Sequence, residues 1–198
     1  MSDVKRLAVV RNPGSAGHEQ VQGELVSALK NAGFAITRHT FEGGTNVIAE
    51  RKGERAPEEV VVLSAHYDHL WGCNGADDNA SGVAALLECI EAVRQLEPHP
   101  RRTILFALWD AEEKGLLGSQ HWVENPTVAR SRIKLAFNMD MVGRLRKERV
   151  EVYGTRTARS LRRFISEHNA PALRLDFTWE MSEDSDHYTF YRAGIPSV

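Results

Sequence analysis

The chain has 198 residues, of which 42% are hydrophobic, and a formal net charge of -2 at pH 7 with both signs mixed along its length. A chain of this length is usually one domain that buries roughly 70% of its unfolded surface, so residues 1–198 are expected to fold as one domain without disulfides. The small net charge argues against a general nucleic-acid or membrane-surface binder, and no run of about 18 apolar residues predicts a transmembrane helix.

The N-terminus and the cysteines bear on the compartment. The N-terminus lacks an apolar segment of the signal-peptide type, so the chain as written is predicted to be unexported and cytoplasmic. The cysteines are Cys73 and Cys89, and two cysteines do not make a disulfide framework. Cys89 lies on the apolar side of a predicted helix and is interpreted as a core thiol.

The first part of the chain predicts a helix followed by two short strands. Residues 11–17 are a loop, and residues 18–32 carry apolar side chains at helical spacing until Gly33 ends the helix. Residues 34–41 and 46–50 have the pattern of short strands separated by a pair of glycines.

The central stretch is an unbroken apolar run at residues 60–65, which predicts a strand that is covered on both faces. The run ends in His66 and Asp68, which point to the same side of an extended backbone, so that one can bind a metal while the other orients it. After a glycine-rich turn, Asp77 and Asp78 are expected at the mouth of the next helix, where the helix N-terminus favours a carboxylate.

The second half of the chain repeats buried strands and helices, which is typical of an open α/β sheet. A helix is predicted at residues 81–96, and buried strands at residues 103–109 and 133–139 flank a helical segment at residues 115–123. Beyond them the pattern predicts a strand at 150–153, a helix at 158–168, a strand at 173–177 and a last segment at 183–198.

Three of the buried strands end in acidic or imidazole side chains. In an open α/β sheet the carboxyl ends of the strands form the edge where sites are built, so these side chains are expected to converge in one crevice. The group comprises His66, Asp77, Glu112, Glu113 and Asp140. A lone carboxylate is more often a helix cap or an ion-pair partner, which is the interpretation for Asp78 and Asp110. Five such groups together are harder to explain in that way.

A bound metal pair would resolve the conflict among these charges. Packing several carboxylates into one cleft without cations costs free energy in repulsion and desolvation, and few basic residues lie near them in sequence. Imidazole with carboxylates suits zinc best and manganese or cobalt next, whereas the absence of a cysteine cluster argues against a structural zinc site.

Four motifs follow one another along the chain: SAHYDH at residues 64–69, GADDNASG at 75–82, EEKGLLGS at 112–119 and NMDM at 138–141. In content and order they resemble the motifs of the dinuclear zinc aminopeptidases. That family also includes plasma-type glutamate carboxypeptidases and glutaminyl cyclases. The resemblance runs from about Arg11 to Val198.

The resemblance implies a zinc-exopeptidase fold, which is an α/β domain with a mixed, mostly parallel central sheet and helices on both faces. It implies two zinc ions bridged by Asp77, with His66 and Asp140 on one ion and Glu113 on the other. It further implies that Glu112 is the general base for removal of N-terminal residues from a peptide substrate.

The resemblance also implies roles around the metals. Asp68 is expected to hold His66 in the metal-binding tautomer. The late segment that contains Asp186, His187 and Tyr188 matches the part of the family that lines the substrate side. No nucleic acid and no membrane are expected as partners.

The chain departs from the family at its end. In the family the second zinc takes a last histidine from a loop beyond the strand that begins here at the Gly-Ile-Pro segment, and this chain stops at Val198. The domain is therefore expected to be C-terminally shortened. One zinc should bind well and the second weakly, with His187 as the first candidate for a substitute ligand.

Other functions remain open at this point. A metal-deficient binding homologue of the same fold is the main alternative, and a glutaminyl cyclase, which releases ammonia from an N-terminal glutamine, is another. A serine hydrolase built from residues 185–187 fails on geometry, because adjacent residues cannot form a triad. The basic stretch at residues 144–163 is interpreted as a solvated surface rather than a nucleic-acid site.

Overall fold

A five-stranded sheet forms the centre of the computed structural model, which describes residues 2–145 and 147–198. Its strands are β1 (Ala35–Phe41), β2 (Gly44–Arg51), β3 (Ala56–His66), β4 (Arg102–Trp109) and β5 (Ile133–Asn138). They lie side by side in the order β1-β2-β4-β3-β5.

The sheet is mixed and mostly parallel, as predicted. β3 runs parallel to both β4 and β5, whereas β2 is antiparallel to β1 and to β4. β2 is therefore the strand that runs against the other four. A smaller parallel pair, β6 (Arg149–Val152) and β7 (Arg174–Phe177), lies at the predicted positions.

Helices cover both faces of the central sheet, which confirms the predicted layers. The α-helices are α1 (Ser2–Leu7), α2 (Ala16–Asn31), α3 (Gly82–Arg94), α4 (Leu117–Glu124), α5 (Leu161–His168) and α6 (His187–Arg192). Helices α1 to α3 pack in one hydrophobic cluster on one face, and α4 and α6 pack in a second cluster on the other. In the described part of the chain, every helix is too short or too polar to cross a membrane.

Strand β4 shows why the buried strands are apolar without a break. Phe106 and Leu108 join the cluster of α1 to α3, while Leu105, Ala107 and Trp109 join the cluster of α4 and α6. Side chains alternate between the faces of a sheet, and here both faces are dry. Burying one such side chain contributes about 1.5–3 kcal/mol.

Two local elements differ from prediction. Helix α1 was not predicted, because a helix of six residues is too short to show a periodic pattern. The glycine-rich turn continues as a π-helical turn, Ala76–Ser81, and the regular helix α3 begins at Gly82. Asp78 inside that turn has non-helical backbone angles, φ -100° and ψ 100°.

The parallel register places the ends of β3, β4 and β5 together. His66 pairs with Trp109, and Ser64 pairs with Asn138. The residues that follow these strands therefore lie side by side at one edge of the sheet.

Candidate metal centre

His66 lies at the centre of the site, at the end of β3, and is fully buried. Its Nε2 atom is 3.1 Å from Oδ1 of Asp78, 3.3 Å from Oδ1 of Asp140 and 3.9 Å from Oε2 of Glu112. Ligand atoms of His66, Glu112 and Asp140 all lie within 4.8 Å of one another. The predicted convergence at the sheet edge is therefore present for these residues.

The backbone around Glu112 and Glu113 aims both side chains at the site. They lie in a short 3-10 turn, Glu112–Lys114, directly after β4. Ala111 before the turn has φ 55° and Leu116 after it has φ 60°, so the chain turns sharply on both sides. Left-handed backbone is unfavourable for residues other than glycine, which indicates that the surrounding contacts enforce this turn.

Asp68 links the histidine to this turn. Its Oδ1 atom lies 3.4 Å from Nδ1 of His66, and its carboxylate accepts hydrogen bonds from the backbone N–H groups of Glu112 at 3.1 Å and Glu113 at 3.3 Å. One buried carboxylate thus contacts the imidazole ring and fixes the turn that carries both glutamates.

Glu113 faces the loop after β3. Its Oε1 atom accepts a hydrogen bond from the backbone N–H of Leu70 at 2.9 Å. Burial and the nearby Asp78 raise the pKa of Glu113 above its ordinary value. The side chain therefore lies on the Asp78 side of the site, and its role as a metal ligand stays a prediction.

The structure places Asp78 at His66, whereas Asp77 was the predicted ligand. Oδ1 of Asp77 instead accepts a hydrogen bond from the backbone N–H of Gly143 at 3.0 Å. Because the backbone is extended at Asp78, adjacent side chains point in opposite directions, and only one can face His66. The contact of Asp78 with His66 fits the predicted ion-pair role of Asp78, and the role of Asp77 as a metal ligand stays a prediction.

The late segment places Asp186 in the interior and Tyr188 at the surface. Asp186 is fully buried, and neither of its carboxylate oxygens has a hydrogen-bond partner in the described residues. His187 is buried beside it, and burial lowers its pKa. Tyr188 donates to Glu183 and lines a surface cleft of about 500 Å³ between α4 and α6. These positions leave the predicted substrate-side roles as predictions.

A buried polar network supports the centre, and sequence reasoning missed most of it. Asp110 accepts hydrogen bonds from the N–H of Thr45 and the hydroxyl of Tyr67, both at 2.7 Å, and lies 2.7 Å from Nε2 of His18. The Tyr67 hydroxyl in turn accepts from Gln22. Asp110 is thus a structural partner, as predicted, and the network fixes the residue between His66 and Asp68.

We expect Tyr67→Phe to lower the free energy of unfolding by about 1–2 kcal/mol, because a buried carboxylate loses a hydrogen-bond donor. Tyr188→Phe is the matched control, since its hydroxyl bonds an exposed glutamate, and it should change stability by less than about 0.5 kcal/mol. Urea unfolding of both variants measures the difference. Equal stability of the two variants would contradict a structural role for the network.

Burial and crowding shift the titration of the central groups. Burial raises the pKa of Glu112 to about 9. Burial opposes protonation of His66, but hydrogen bonds with Asp140, Asp68 and Asp78 outweigh it and raise the pKa of His66 well above its ordinary value. The centre therefore retains protons at neutral pH when it holds no other cation.

These shifts predict that the metal-free protein loses stability as pH rises from 6.5 to 9. In the folded protein, Glu112 and His66 both keep protons that the unfolded chain releases at lower pH. The stability that such a group contributes is fully present below its pKa in the unfolded chain and is lost as the pH rises through its pKa in the folded protein. Each group contributes up to about 1.4 kcal/mol per pH unit. Chemical denaturation in a chelator at several pH values measures the slope. Glu112→Gln should flatten it, and stability that rises with pH would contradict the assignment.

The donor set fits a divalent cation. The buried imidazole of His66 lies within 4 Å of four carboxylates, three of them at Nε2 and one at Nδ1, and in the described residues no lysine or arginine forms an ion pair with any of them. Imidazole nitrogen and carboxylate oxygen are the ligands that zinc takes in catalytic sites. A bound dication would neutralise the repulsion that otherwise keeps protons on this cluster.

Residues 46–198 match the family model that is described as Peptidase family M28. The chain belongs to peptidase family M28. Leupeptin-inactivating enzyme 1 of Streptomyces exfoliatus is 36% identical over 138 residues, which are 67% of this chain and 31% of that protein. Aminopeptidase YwaD of Bacillus subtilis strain 168 is 29% identical over 188 residues, which are 92% of this chain and 41% of that protein.

Solved structures of the M28 type share the fold of this chain. A glutaminyl cyclase from Porphyromonas gingivalis has a TM-score of 0.80 at 25% identity, over 100% of this chain and 79% of that one. BSAP, a zinc aminopeptidase from Bacillus subtilis, has a TM-score of 0.63 at 30% identity, over 78% of this chain and 39% of that one. The chain spans 31% and 41% of the two curated M28 relatives named above.

Proposed function

We propose that this M28 domain is part of a zinc-dependent aminopeptidase that hydrolyses N-terminal residues of peptides. The observation that carries the proposal is the buried imidazole of His66, whose Nε2 atom has three carboxylate groups within 4 Å. The names of the aminopeptidase relatives support the substrate class, and the zinc aminopeptidase BSAP supports the metal.

The residues divide between two metal positions. His66, Asp78 and Asp140 would hold one zinc ion, and Asp78 with Glu113 would contribute to a second. When bound, zinc supplies Lewis-acid polarisation of the scissile carbonyl and a more acidic water. Asp68 would keep the His66 ring in one orientation, a role that is typically worth about 10- to 100-fold in affinity or activity.

Glu112 would carry the proton transfers. A general base has to lie within reach of the attacking water, and Glu112 faces the same space as His66 and Asp140. Its carboxylate would take the proton of that water, and the resulting acid would give the proton to the departing amine. The high pKa that burial imposes on Glu112 favours its return as an acid.

A glutaminyl cyclase is the second candidate, because the cyclase structure aligns over the whole of this chain at a TM-score of 0.80. Such an enzyme would join the N-terminal amine of a glutaminyl peptide to the side-chain carbonyl and release ammonia. The same buried carboxylate could shuttle the proton from the amine to the leaving ammonia.

Metal analysis combined with two assays tests the proposal. The purified protein is incubated with zinc, dialysed and assayed on aminoacyl anilides and on a glutaminyl peptide. We expect at least one zinc per chain and anilide hydrolysis. Ammonia release without hydrolysis would favour the cyclase, and the absence of both bound zinc and turnover would contradict the proposal.

A further inference from the structure

Arg11 is buried, with 1% of its surface exposed, in the loop between α1 and α2. Its Nε donates to the carbonyl of Tyr67 at 2.8 Å, its Nη1 to the carbonyl of Leu7 at 2.7 Å and its Nη2 to the carbonyl of Gly75 at 2.6 Å. Within the described part of the chain, all the hydrogen bonds of this guanidinium go to backbone carbonyls. A buried charge held in this way is unusual, because buried cations are normally paired with an anion.

Two of these carbonyls bound the loop at residues 67–75, which we call the 67–75 loop. Tyr67 lies between His66 and Asp68, at the start of the loop. Gly75 lies at its end, and its carbonyl also accepts the N–H of Ala80 in the π-helical turn that carries Asp78. A single planar guanidinium therefore joins the backbone next to His66 and Asp68 to the backbone at the start of the turn that carries Asp78.

Gly75 is shaped to receive this guanidinium. Its φ is 60°, and a Cβ at this position would lie 2.4 Å from Nη1 of Arg11. Real Cβ atoms do not approach other heavy atoms so closely, so any side chain here would displace the guanidinium or the loop. The close contact between Arg11 and Gly75 thus depends on the absence of a side chain.

The charge of Arg11 acts on the same groups. Burial lowers the pKa of Arg11 to about 10, and the neighbouring Asp68, Asp78 and Glu113 act in the opposite direction. The guanidinium therefore remains a cation at neutral pH.

We infer that Arg11 is a positioning residue for the metal centre, which sets the separation between the His66 end and the Asp78 end of the 67–75 loop. This inference rests on the proposed function, because the ligands assigned there project from these two ends. Arginine suits the task because its planar fork presents several donors in fixed directions.

Metal affinity tests the inference directly, with cobalt as the probe. The metal-free chain, Arg11→Met and Arg132→Met are titrated with cobalt against a competing chelator while the visible absorption of bound cobalt is recorded. Arg132 is the matched control, because it also donates to two backbone carbonyls, those of Pro57 and Glu58, at the opposite end of the sheet. We expect Arg11→Met to weaken the tightest site by about 10-fold or more and to change its spectrum. Arg132→Met should keep the parental affinity within about twofold.

Arg11→Lys and Gly75→Ala complete the test and keep it decisive if Arg11→Met does not fold. Gly75→Ala should weaken cobalt binding in the same way. Arg11→Lys should bind cobalt more tightly than Arg11→Met but more weakly than the parent, because lysine keeps the positive charge and lacks the planar guanidinium. Full recovery by lysine would contradict the positioning role. Parental affinity in Arg11→Met would overturn the inference alone, whereas a parent chain that takes up no cobalt would overturn the proposed function and the inference with it.

Discussion

Replacing Glu112 by glutamine is expected to lower kcat by at least about 10²-fold while metal binding stays close to that of the parent, as loss of a general base should. Glutamine keeps the shape of the side chain but has no basic oxygen. The backbone N–H of residue 112 would still donate to Asp68, so the turn that carries both glutamates is preserved. Steady-state hydrolysis and metal content are measured on the same preparation of each variant.

Glu113→Gln is the matched control, because the two glutamates are adjacent and share one turn. We expect this variant to lose bound metal first and activity as a result. If Glu112→Gln instead releases the metal, Glu112 is a ligand and not the base. If both variants keep the metal content and the turnover of the parent, Glu112 is not the general base and Glu113 is not a metal ligand.

Asp78→Asn is expected to weaken metal binding at the tightest site by about 100-fold or more and to abolish turnover. Asp77→Asn is expected to keep the metal affinity and the turnover of the parent. Oδ1 of Asp78 lies 3.1 Å from Nε2 of His66, which is why the proposed function includes this carboxylate among the zinc ligands. Oδ1 of Asp77 accepts hydrogen bonds from the backbone N–H of Gly143 and the hydroxyl of Ser81, and an asparagine oxygen can accept the same bonds. A neutral amide is a poor zinc ligand, since zinc prefers anionic oxygen, imidazole or thiolate donors.

Isothermal titration of zinc into both metal-free variants measures the difference, and circular dichroism verifies that both are folded. The reverse pattern, with Asp77→Asn losing the metal, would restore Asp77 as the ligand. Equal affinity in both variants would mean that neither carboxylate binds the tightest zinc.

The elements of this fold are predictable because their sequence patterns are clear. β3 and β4 are continuous apolar runs with buried side chains on both faces, and α3 has the helical period that places Val83, Leu86 and Ile90 on one side. The meeting of His66, Glu112 and Asp140 is predictable as well, since parallel strands bring their carboxyl ends to one edge.

The choice between Asp77 and Asp78 is not predictable in the same way. Two adjacent carboxylates in a glycine-rich turn are distinguished only by the backbone angles at Asp78, which the pattern of side chains does not contain. The role of Arg11 could not be predicted from the sequence for a related reason. Its partners are backbone carbonyls, and a carbonyl carries no signature in the sequence.

The left-handed residues on either side of Glu112 and Glu113 have a consequence for how this domain can be improved. Ala111 and Leu116 each hold a backbone conformation that costs on the order of 1 kcal/mol for a residue other than glycine. A relaxed turn would be more stable and would carry the glutamates away from His66. Under the proposed function, a more stable turn would therefore lower catalytic turnover. Selection for heat resistance alone would favour changes here, and selection for activity would remove them.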